Sequence, residues 1–198
     1  MSAVSESIVR EYFEQHEFLV RQRRKYIGQT RDQEEDDIDF FVLNPHPQSQ
    51  SGVMPFVLSS PDLIFIERAI VVVKGWHTKI FSTASLASAP EIFHFVEPKI
   101  FQQAARAFGK DGTPLKILVV PALPHNAQAR LESIALLRSK GIDAVIPFHT
   151  MLADLIKETE VNRNYQKSDL LQIIRILKNY DLFKEPQLEL FKSRRKKR

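Results

Sequence analysis

The sequence predicts an α/β protein in which helices flank one mixed central sheet. Helical and strand-like periodicities alternate along a chain of 198 residues, of which 43% are hydrophobic and 26% charged. The predicted order is a helix, three strands, a helix, a strand, a helix, a strand and then further helices. Three successive strands before a crossover differ from the doubly wound pattern, and no strand is followed by a glycine-rich phosphate loop. Nucleotide-binding folds are therefore disfavoured.

The first half of the chain is predicted to supply one helix and three strands. The helix lies at residues 5–16, where four apolar side chains recur at helical spacing: Ile8, Val9, Tyr12 and Phe13. Strands follow at residues 18–26, 38–43 and 63–73. The last of these is rich in Ile and Val, which indicates a central strand.

The second half alternates helix and strand. Ser88 and Glu91 have the spacing of a capping box, with Pro90 in the first turn, so a helix is predicted to start there. It is expected to restart at Pro98 and to end at Gly109. The remaining predicted elements are a strand at 115–120, a helix at 126–140, a strand at 142–148 and helices at 149–160 and 168–181.

Length and composition bound the organisation of the chain. At about 150 residues per domain, we expect one α/β domain at residues 1–183, whose added C-terminal helices begin near residue 149. A basic tail follows at residues 184–198. The chain has no cysteine, which excludes disulfides, thiolate metal sites and a cysteine nucleophile.

The compartment is also predicted from composition. The longest apolar run, residues 69–73, is far shorter than the roughly 20 residues that span a bilayer. Charged residues occupy the N-terminal region, where a signal peptide would be apolar. A cytoplasmic protein with no membrane partner is therefore expected.

Two successive strands are predicted to bring acids and an amine together. Alternation places Ile70, Val72 and Lys74 on one face of their strand, and Asp37 and Asp39 on one face of the preceding strand. Carboxylates that face a lysine suit phosphodiester hydrolysis. The acids hold a divalent cation, and the lysine orients or activates the attacking water.

Four segments follow one another along the chain: Glu6-x-x-Val9-x-x-Tyr12-Phe13, Phe18-Leu19-Val20-Arg21, Asp37-Ile38-Asp39-Phe40 and Val71-Val72-Val73-Lys74. The set resembles the PD-(D/E)XK nuclease superfamily, including its Holliday-junction-resolvase-like members. The resemblance covers roughly residues 5–147 and implies a restriction-endonuclease-like mixed sheet. It implies catalytic roles for Glu6, Asp39 and Lys74, metal binding by Glu6, Asp37 and Asp39, and Mg²⁺ or Mn²⁺ as cofactor.

One residue departs from the pattern of this superfamily. Val72 stands where the second metal-binding acid belongs, and a valine cannot bind a hard cation. Three routes stay open: a displaced acid at Glu67 or Asp62, a single metal held by Asp36, Asp37 and Asp39 with Glu6, or a lapsed site that only binds. The resemblance thus implies a DNA-binding protein of repair, recombination or replication whose metal site is weakened or lost. The alternatives are an active Mg²⁺-dependent DNA endonuclease and an interaction domain that does not bind DNA.

Basic residues supply candidate DNA contacts. Lys and Arg exceed Asp and Glu by 28 to 24, a formal net charge of +4. Alternation places Arg21, Arg23 and Lys25 on one side of a strand, where they could follow successive phosphates or simply protect an exposed sheet edge. Further candidates follow the third strand or lie on the next helix: Trp76, His77, Lys99 and Gln102. For Trp76, packing against the core is the alternative.

The tail carries a second motif. Gln187-Leu188-Glu189-Leu190-Phe191 resembles the bacterial sliding-clamp-binding pentapeptide, in which the glutamine fills a polar pocket and the Leu and Phe side chains enter an apolar one. The resemblance implies clamp contacts by Gln187, Leu188, Leu190 and Phe191. The alternative is that these apolar residues pack on the body of the protein. A homodimer is also compatible with the sequence.

Overall fold

The computed structural model describes residues 3–23, 38–49, 52–109 and 112–183. The chain divides into two compact units, Met1–Glu158 and Thr159–Arg198. The described strands all belong to the first unit, and the second unit contains one described helix.

Within the described residues, five strands form one mixed sheet in the order β1-β2-β3-β4-β5. Their bounds are Leu19–Gln22 (β1), Phe40–Leu43 (β2), Arg68–Val73 (β3), Leu115–Val120 (β4) and Ala144–Pro147 (β5). The first three strands form an antiparallel meander, whereas β3, β4 and β5 run parallel. The predicted α/β class, with a mixed sheet between helices, is confirmed.

The described residues also form six α-helices: α1 (Ala3–Gln15), α2 (Thr83–Ala87), α3 (Pro98–Ala105), α4 (Ala127–Ser139), α5 (Phe148–Glu158) and α6 (Asp169–Asn179). Asn126 begins α4 by accepting a 3.0 Å hydrogen bond from the Ala129 N–H. Gly141, with a φ of 87°, follows its end, a position that requires the left-handed conformation glycine adopts freely. Among the residues described, no helix is both long and apolar enough to cross a membrane.

The two faces of the sheet are covered by different helices. One face forms a buried cluster with α2, α3 and α4, whose members include Ile70, Val72, Leu86, Phe101, Leu118 and Leu137. The alternate residues of β3 and β4, such as Val71 and Val119, are buried outside this cluster. They lie on the other face, where α1 and α5 contact strands and each other. Burial on both faces explains why the central strands are continuous apolar runs.

The strand predicted at residues 63–73 is wrong at its start. Ser60–Phe65 forms a 3₁₀ helix, and β3 begins only at Arg68. Asp62 holds the start of this 3₁₀ helix by accepting hydrogen bonds from the main-chain N–H and the hydroxyl of Ser59, at 2.7 and 2.5 Å. Periodicity did not separate the two conformations because a short apolar run suits both a buried strand and a buried helix.

The capping box predicted at Ser88 and Glu91 is not formed. The Ser88 hydroxyl donates instead to the Ser85 carbonyl, 2.9 Å away, at the end of the short helix α2. Pro90–Val96 is a 3₁₀ helix, and the α-helix that follows starts at Pro98, as the predicted restart required. The predicted capping box does not form because the Ser88 hydroxyl is engaged at the end of α2.

The second unit is described as far as residue 183. Ser168 caps the start of α6 by accepting a hydrogen bond from a first-turn N–H. Arg175 Nε donates to the Val161 carbonyl over 2.8 Å, and Lys178 Nζ donates to the Thr159 carbonyl over 2.6 Å. The two cations thus hold the helix to the segment that precedes it.

The buried phenol of Tyr12 makes the free energy of unfolding depend on pH in the alkaline range. Its buried hydroxyl shares a 3.1 Å hydrogen bond with Ser60 Oγ. Burial raises the pKa of the Tyr12 phenol far above its usual range, and the nearby charges of Asp154 and Asp62 add to that rise. Since folding favours the neutral phenol, its contribution to stability is complete below the usual pKa of about 10 and is lost as the pH rises above it. We expect urea denaturation to show a free energy of unfolding that falls more steeply from about pH 10 to 12 in wild type than in Tyr12→Phe.

Tyr165→Phe is the matched control, because it removes a hydroxyl from a half-buried tyrosine in the second unit. It should keep the wild-type pH slope. Equal slopes in wild type and Tyr12→Phe would contradict the assignment of the alkaline loss to Tyr12.

Candidate functional site at the top of the sheet

We call the carboxyl ends of β1, β3, β4 and β5 the top of the sheet. Because β2 runs against its neighbours, its first residues lie at the same end. The start of α1 also lies there, since Ser5 approaches Gly75 and His77 just after β3. In open α/β sheets this is the usual position of a ligand site. Five residues predicted from the sequence to act on DNA or metal gather at the top: Glu6, Arg23, Asp39, Lys74 and His77.

Asp39 ties the ends of three strands together. Its carboxylate Oδ2 accepts a hydrogen bond of 2.7 Å from the N–H of Val73 in β3. Its main-chain carbonyl accepts one of 2.9 Å from the N–H of Arg23, which follows β1. The residue is only 3% exposed. Asp39 is therefore a buried acceptor for the main chain, and its donor Val73 is the residue before Lys74.

A β-bulge lies at Asp39, directly before the first residue of β2. Phe40 pairs with Val71, yet the Asp39 N–H also donates to the Val71 carbonyl, so two residues of one strand lie opposite one residue of the next. Ile38 and Phe41, three positions apart, consistently join the same buried cluster. A regular strand would place them on opposite faces.

The bulge changes which side chains share a face. With Ile38 and Phe41 on the cluster face, Asp39 lies on the face that α1 covers. Lys74 still continues β3, because its N–H donates to the Val119 carbonyl over 3.0 Å, and so it follows Val72 on the cluster face. By alternation, Asp39 and Lys74 are thus directed to opposite faces of the sheet, which argues against the predicted facing of the aspartate and the lysine. The roles predicted for the two residues stay predictions.

Val72, at the position that the resemblance gives to an acid, lies in the core. Its side chain is 0% exposed and belongs to the cluster that contains Ile70 and Leu118. Neither displaced acid takes its place: Glu67 precedes β3 at the opposite end of the strand, and Asp62 holds the 3₁₀ helix. Across the described ranges, no three His, Asp or Glu side chains are grouped to hold a metal ion.

Glu6 lies on α1 and faces the end of β1. Gln22 Nε2 donates to Glu6 Oε2 over 2.5 Å. Gln22 pairs with Phe40, which places it on the α1 face, whereas its neighbour Arg21 lies on the cluster face. The sequence reasoning missed Gln22. Its signal was the same alternation, because a polar residue between two arginines of one strand must face the other way.

His77 is held from two sides. Its Nε2 and Ser5 Oγ are 3.1 Å apart in a hydrogen bond, and its ring stands edge-on to the Phe148 ring with centroids 4.6 Å apart. Gly75 permits this approach of α1, because a Cβ there would lie 2.7 Å from Ser5 Oγ. No sequence signal identified Ser5 or Phe148, since the contacts join α1, the end of β3 and α5.

Three of the predicted cations share one face of the sheet. Arg21 is exposed and pairs with Phe41 of the buried cluster, so it lies on the cluster face. Arg23 follows two positions later, and Lys74 lies on the same face two strands away. Neighbouring strands are about 4.8 Å apart, which separates the arginines from the lysine by roughly 10 Å.

Trp76 packs against the core. Its indole lies 5.9 Å from the Phe81 ring, and Lys79 Nζ sits 4.7 Å from the indole centroid, so the packing alternative is confirmed. Lys99 and Gln102 are exposed on α3.

The position of α3 separates those two residues from the top of the sheet. Phe101, which lies between Lys99 and Gln102 in sequence, has its ring 4.7 Å from Lys116 Nζ, near the amino end of β4. This part of α3 is therefore directed away from the strand end that carries Lys74.

Several predicted residues lie outside the described residues. They are Lys25, Asp36, Asp37 and the four clamp-motif residues Gln187, Leu188, Leu190 and Phe191. Comparison with known proteins found no matching family model, no matching curated protein and no matching solved structure.

Proposed function

We propose that the protein binds DNA through the top of its sheet and has lost the metal site of the nuclease fold that its sequence resembles. One observation carries the proposal. Val72 lies in the apolar core and Asp39 accepts a main-chain hydrogen bond, while cations beside them stay at the surface.

The arrangement of the cations supports contact with a phosphate backbone. Arg21 is exposed, and Arg23 and Lys74 are partly exposed on the same face. Cations spread over the ends of β1 and β3 attract phosphates without reading bases, because phosphate contacts give position and affinity while base contacts give sequence preference. We therefore propose recognition of DNA shape or structure rather than of a particular sequence.

The chemistry of the acids favours binding over cleavage. Hydrolysis by nucleases of the superfamily that the sequence resembles needs a divalent cation held by several oxygens. Val72 offers no oxygen, and Asp39 and Glu6 each have one carboxylate oxygen engaged by a donor within the protein, the Val73 N–H and Gln22 Nε2. Backbone binding by cations requires none of these ligands.

The clamp motif adds a second part to the proposal. A peptide with apolar anchors can dock in a groove, and the basic residues after it add salt-dependent attraction to nearby DNA. A tether to a replication sliding clamp would place the domain at sites of replication or repair.

Fluorescence anisotropy with labelled duplex, single-stranded and branched DNA tests the DNA contact. Arg21→Ala and Lys74→Ala should each weaken binding several-fold and lower the salt dependence by about one released counterion, because each removes one phosphate contact. Lys157→Ala is the matched control. That lysine is exposed in the last turn of α5, a helix that begins at the top of the sheet and runs away from it.

The same samples with Mg²⁺ or Mn²⁺ decide between binding and cleavage. We expect no cleavage of any substrate. Cleavage that disappears in Lys74→Ala would contradict the lost site and favour the endonuclease alternative. Failure to bind every DNA at low salt would leave only a protein-interaction domain.

A pull-down with the purified bacterial sliding clamp tests the tether. Gln187→Ala and Phe191→Ala should each lose capture, because the motif places both side chains in pockets of the clamp. Lys192→Ala, directly after the motif, should retain capture. Unchanged capture by the first two variants would contradict the tether and leave the DNA contact unaffected.

A further inference from the structure

Helix α6 presents a stripe of apolar side chains to solvent. Ile173, Ile176 and Tyr180 are 54%, 44% and 71% exposed. Spacings of three and four residues place them on one side of the helix, and Leu171 and Ile174 are buried on the opposite side. Among the described residues, the helix is therefore apolar on two sides, one buried and one exposed.

The charges of α6 are arranged around this stripe. Its two cations, Arg175 and Lys178, donate to the carbonyls of Val161 and Thr159, which directs them to the segment before the helix. Asp169 in the first turn lies four positions before Ile173 and so extends the stripe at its N-terminal end. The stripe thus runs from a carboxylate, through two isoleucines, to a tyrosine.

We infer that the stripe is an interface between two copies of this chain, with the two α6 helices packed antiparallel about a two-fold axis. In this arrangement, Ile173 of one copy packs on the partner's Ile176. Asp169 lies four residues before Ile173, and Tyr180 lies four residues after Ile176. In an antiparallel pair, Asp169 of one copy therefore meets the partner's Tyr180. The tyrosine hydroxyl then donates to the carboxylate, and the two-fold axis repeats both contacts.

Self-complementarity is what selects a second copy as the occupant. A two-fold interface uses one surface twice, so each donor on it must meet an acceptor of the same surface. The stripe meets that condition, with an acceptor at one end, a donor at the other and apolar residues between. Apolar residues at alternating spacings of three and four also form the seam along which paired helices pack. The inference does not depend on DNA binding.

Analytical ultracentrifugation of the full chain tests the pairing. Wild type should form a concentration-dependent dimer, and Ile176→Glu should weaken it about a hundredfold or more, because the charge enters the interface twice. The exposure of Ile176 lets the variant keep its fold, which circular dichroism checks. Leu131→Glu is the matched control, since Leu131 is an exposed leucine on α4 and should leave the dimer unchanged.

Disulfide mapping tests the register. The chain contains no cysteine, so single introduced cysteines report one contact each. A mixture of Ile173→Cys and Ile176→Cys proteins should form the mixed disulfide faster than either forms its own homodimer. Ser139→Cys, at an exposed position of α4, should not form a disulfide-linked dimer at a comparable rate. A monomer at every concentration, a dimer that survives Ile176→Glu, or the absence of the mixed disulfide would each overturn the inference.

Discussion

Val72→Glu should strongly destabilise the first unit instead of restoring a metal site. The substitution places a carboxylate where the native side chain is fully buried among Ile70, Leu118 and Val120. A buried charge without a partner costs several kcal/mol. We expect the free energy of unfolding to fall by about 4 kcal/mol and the Tm by roughly 10 °C, measured by thermal and urea denaturation.

Val72→Ala separates the charge from the lost volume. Loss of two methyl groups from the same position should cost about 2 kcal/mol. Because burial favours the protonated acid, the extra cost of Val72→Glu over Val72→Ala should shrink as the pH falls from about 8 to 5. A Val72→Glu protein as stable as wild type that cleaves DNA with Mg²⁺ would contradict both the core position of Val72 and the proposed loss of the site.

Asp39→Ala should be nearly as damaging, for a different reason. The substitution removes the charged acceptor of the buried Val73 N–H and leaves that donor unpaired. We expect a loss of about 3 kcal/mol in the free energy of unfolding, measured by urea denaturation. Asp39→Asn keeps an oxygen that can accept the same hydrogen bond, so its cost should be about 1 kcal/mol.

The same pair of variants distinguishes a positioning role from a metal-binding role. The Asp39 carboxylate holds the Val73 N–H, so its loss should disturb the end of β3 that precedes Lys74, whereas the main-chain hydrogen bond from Arg23 is retained. We expect Asp39→Ala to weaken DNA binding and Asp39→Asn to keep most of it. If both variants instead abolish a Mg²⁺-dependent activity equally, Asp39 is a metal ligand and the positioning role is wrong.

The regular part of the fold was predictable because each element repeats one local pattern. The strand at Leu115–Val120 matches its predicted bounds, and α4 lies one residue inside each of its predicted bounds at 126–140. The apolar run of β3 predicted a central strand, and its neighbours in the sheet confirm it. Each of these results depends on side-chain spacing within one element, which burial in a two-faced sheet enforces.

The site was predictable only in part. Glu6, Asp39 and Lys74 do converge on the top of the sheet, because the order of the first elements places the start of β2 beside the end of β3. The facing of the two side chains was not predictable. It depends on the bulge at Asp39, which arises from hydrogen bonds between strands and leaves no mark in the alternation of one strand.

By itself, the sequence determined the class of fold, the order of most helices and strands, and the convergence of acids and cations at one end of the sheet. Only the tertiary structure decided the use of those residues: Asp39 became an acceptor for the neighbouring strand, and Gln22 became the partner of Glu6. The physical reason is range. Periodicity records which face of an element is buried, whereas a hydrogen bond between residues far apart in sequence depends on register and packing, which only the assembled sheet defines.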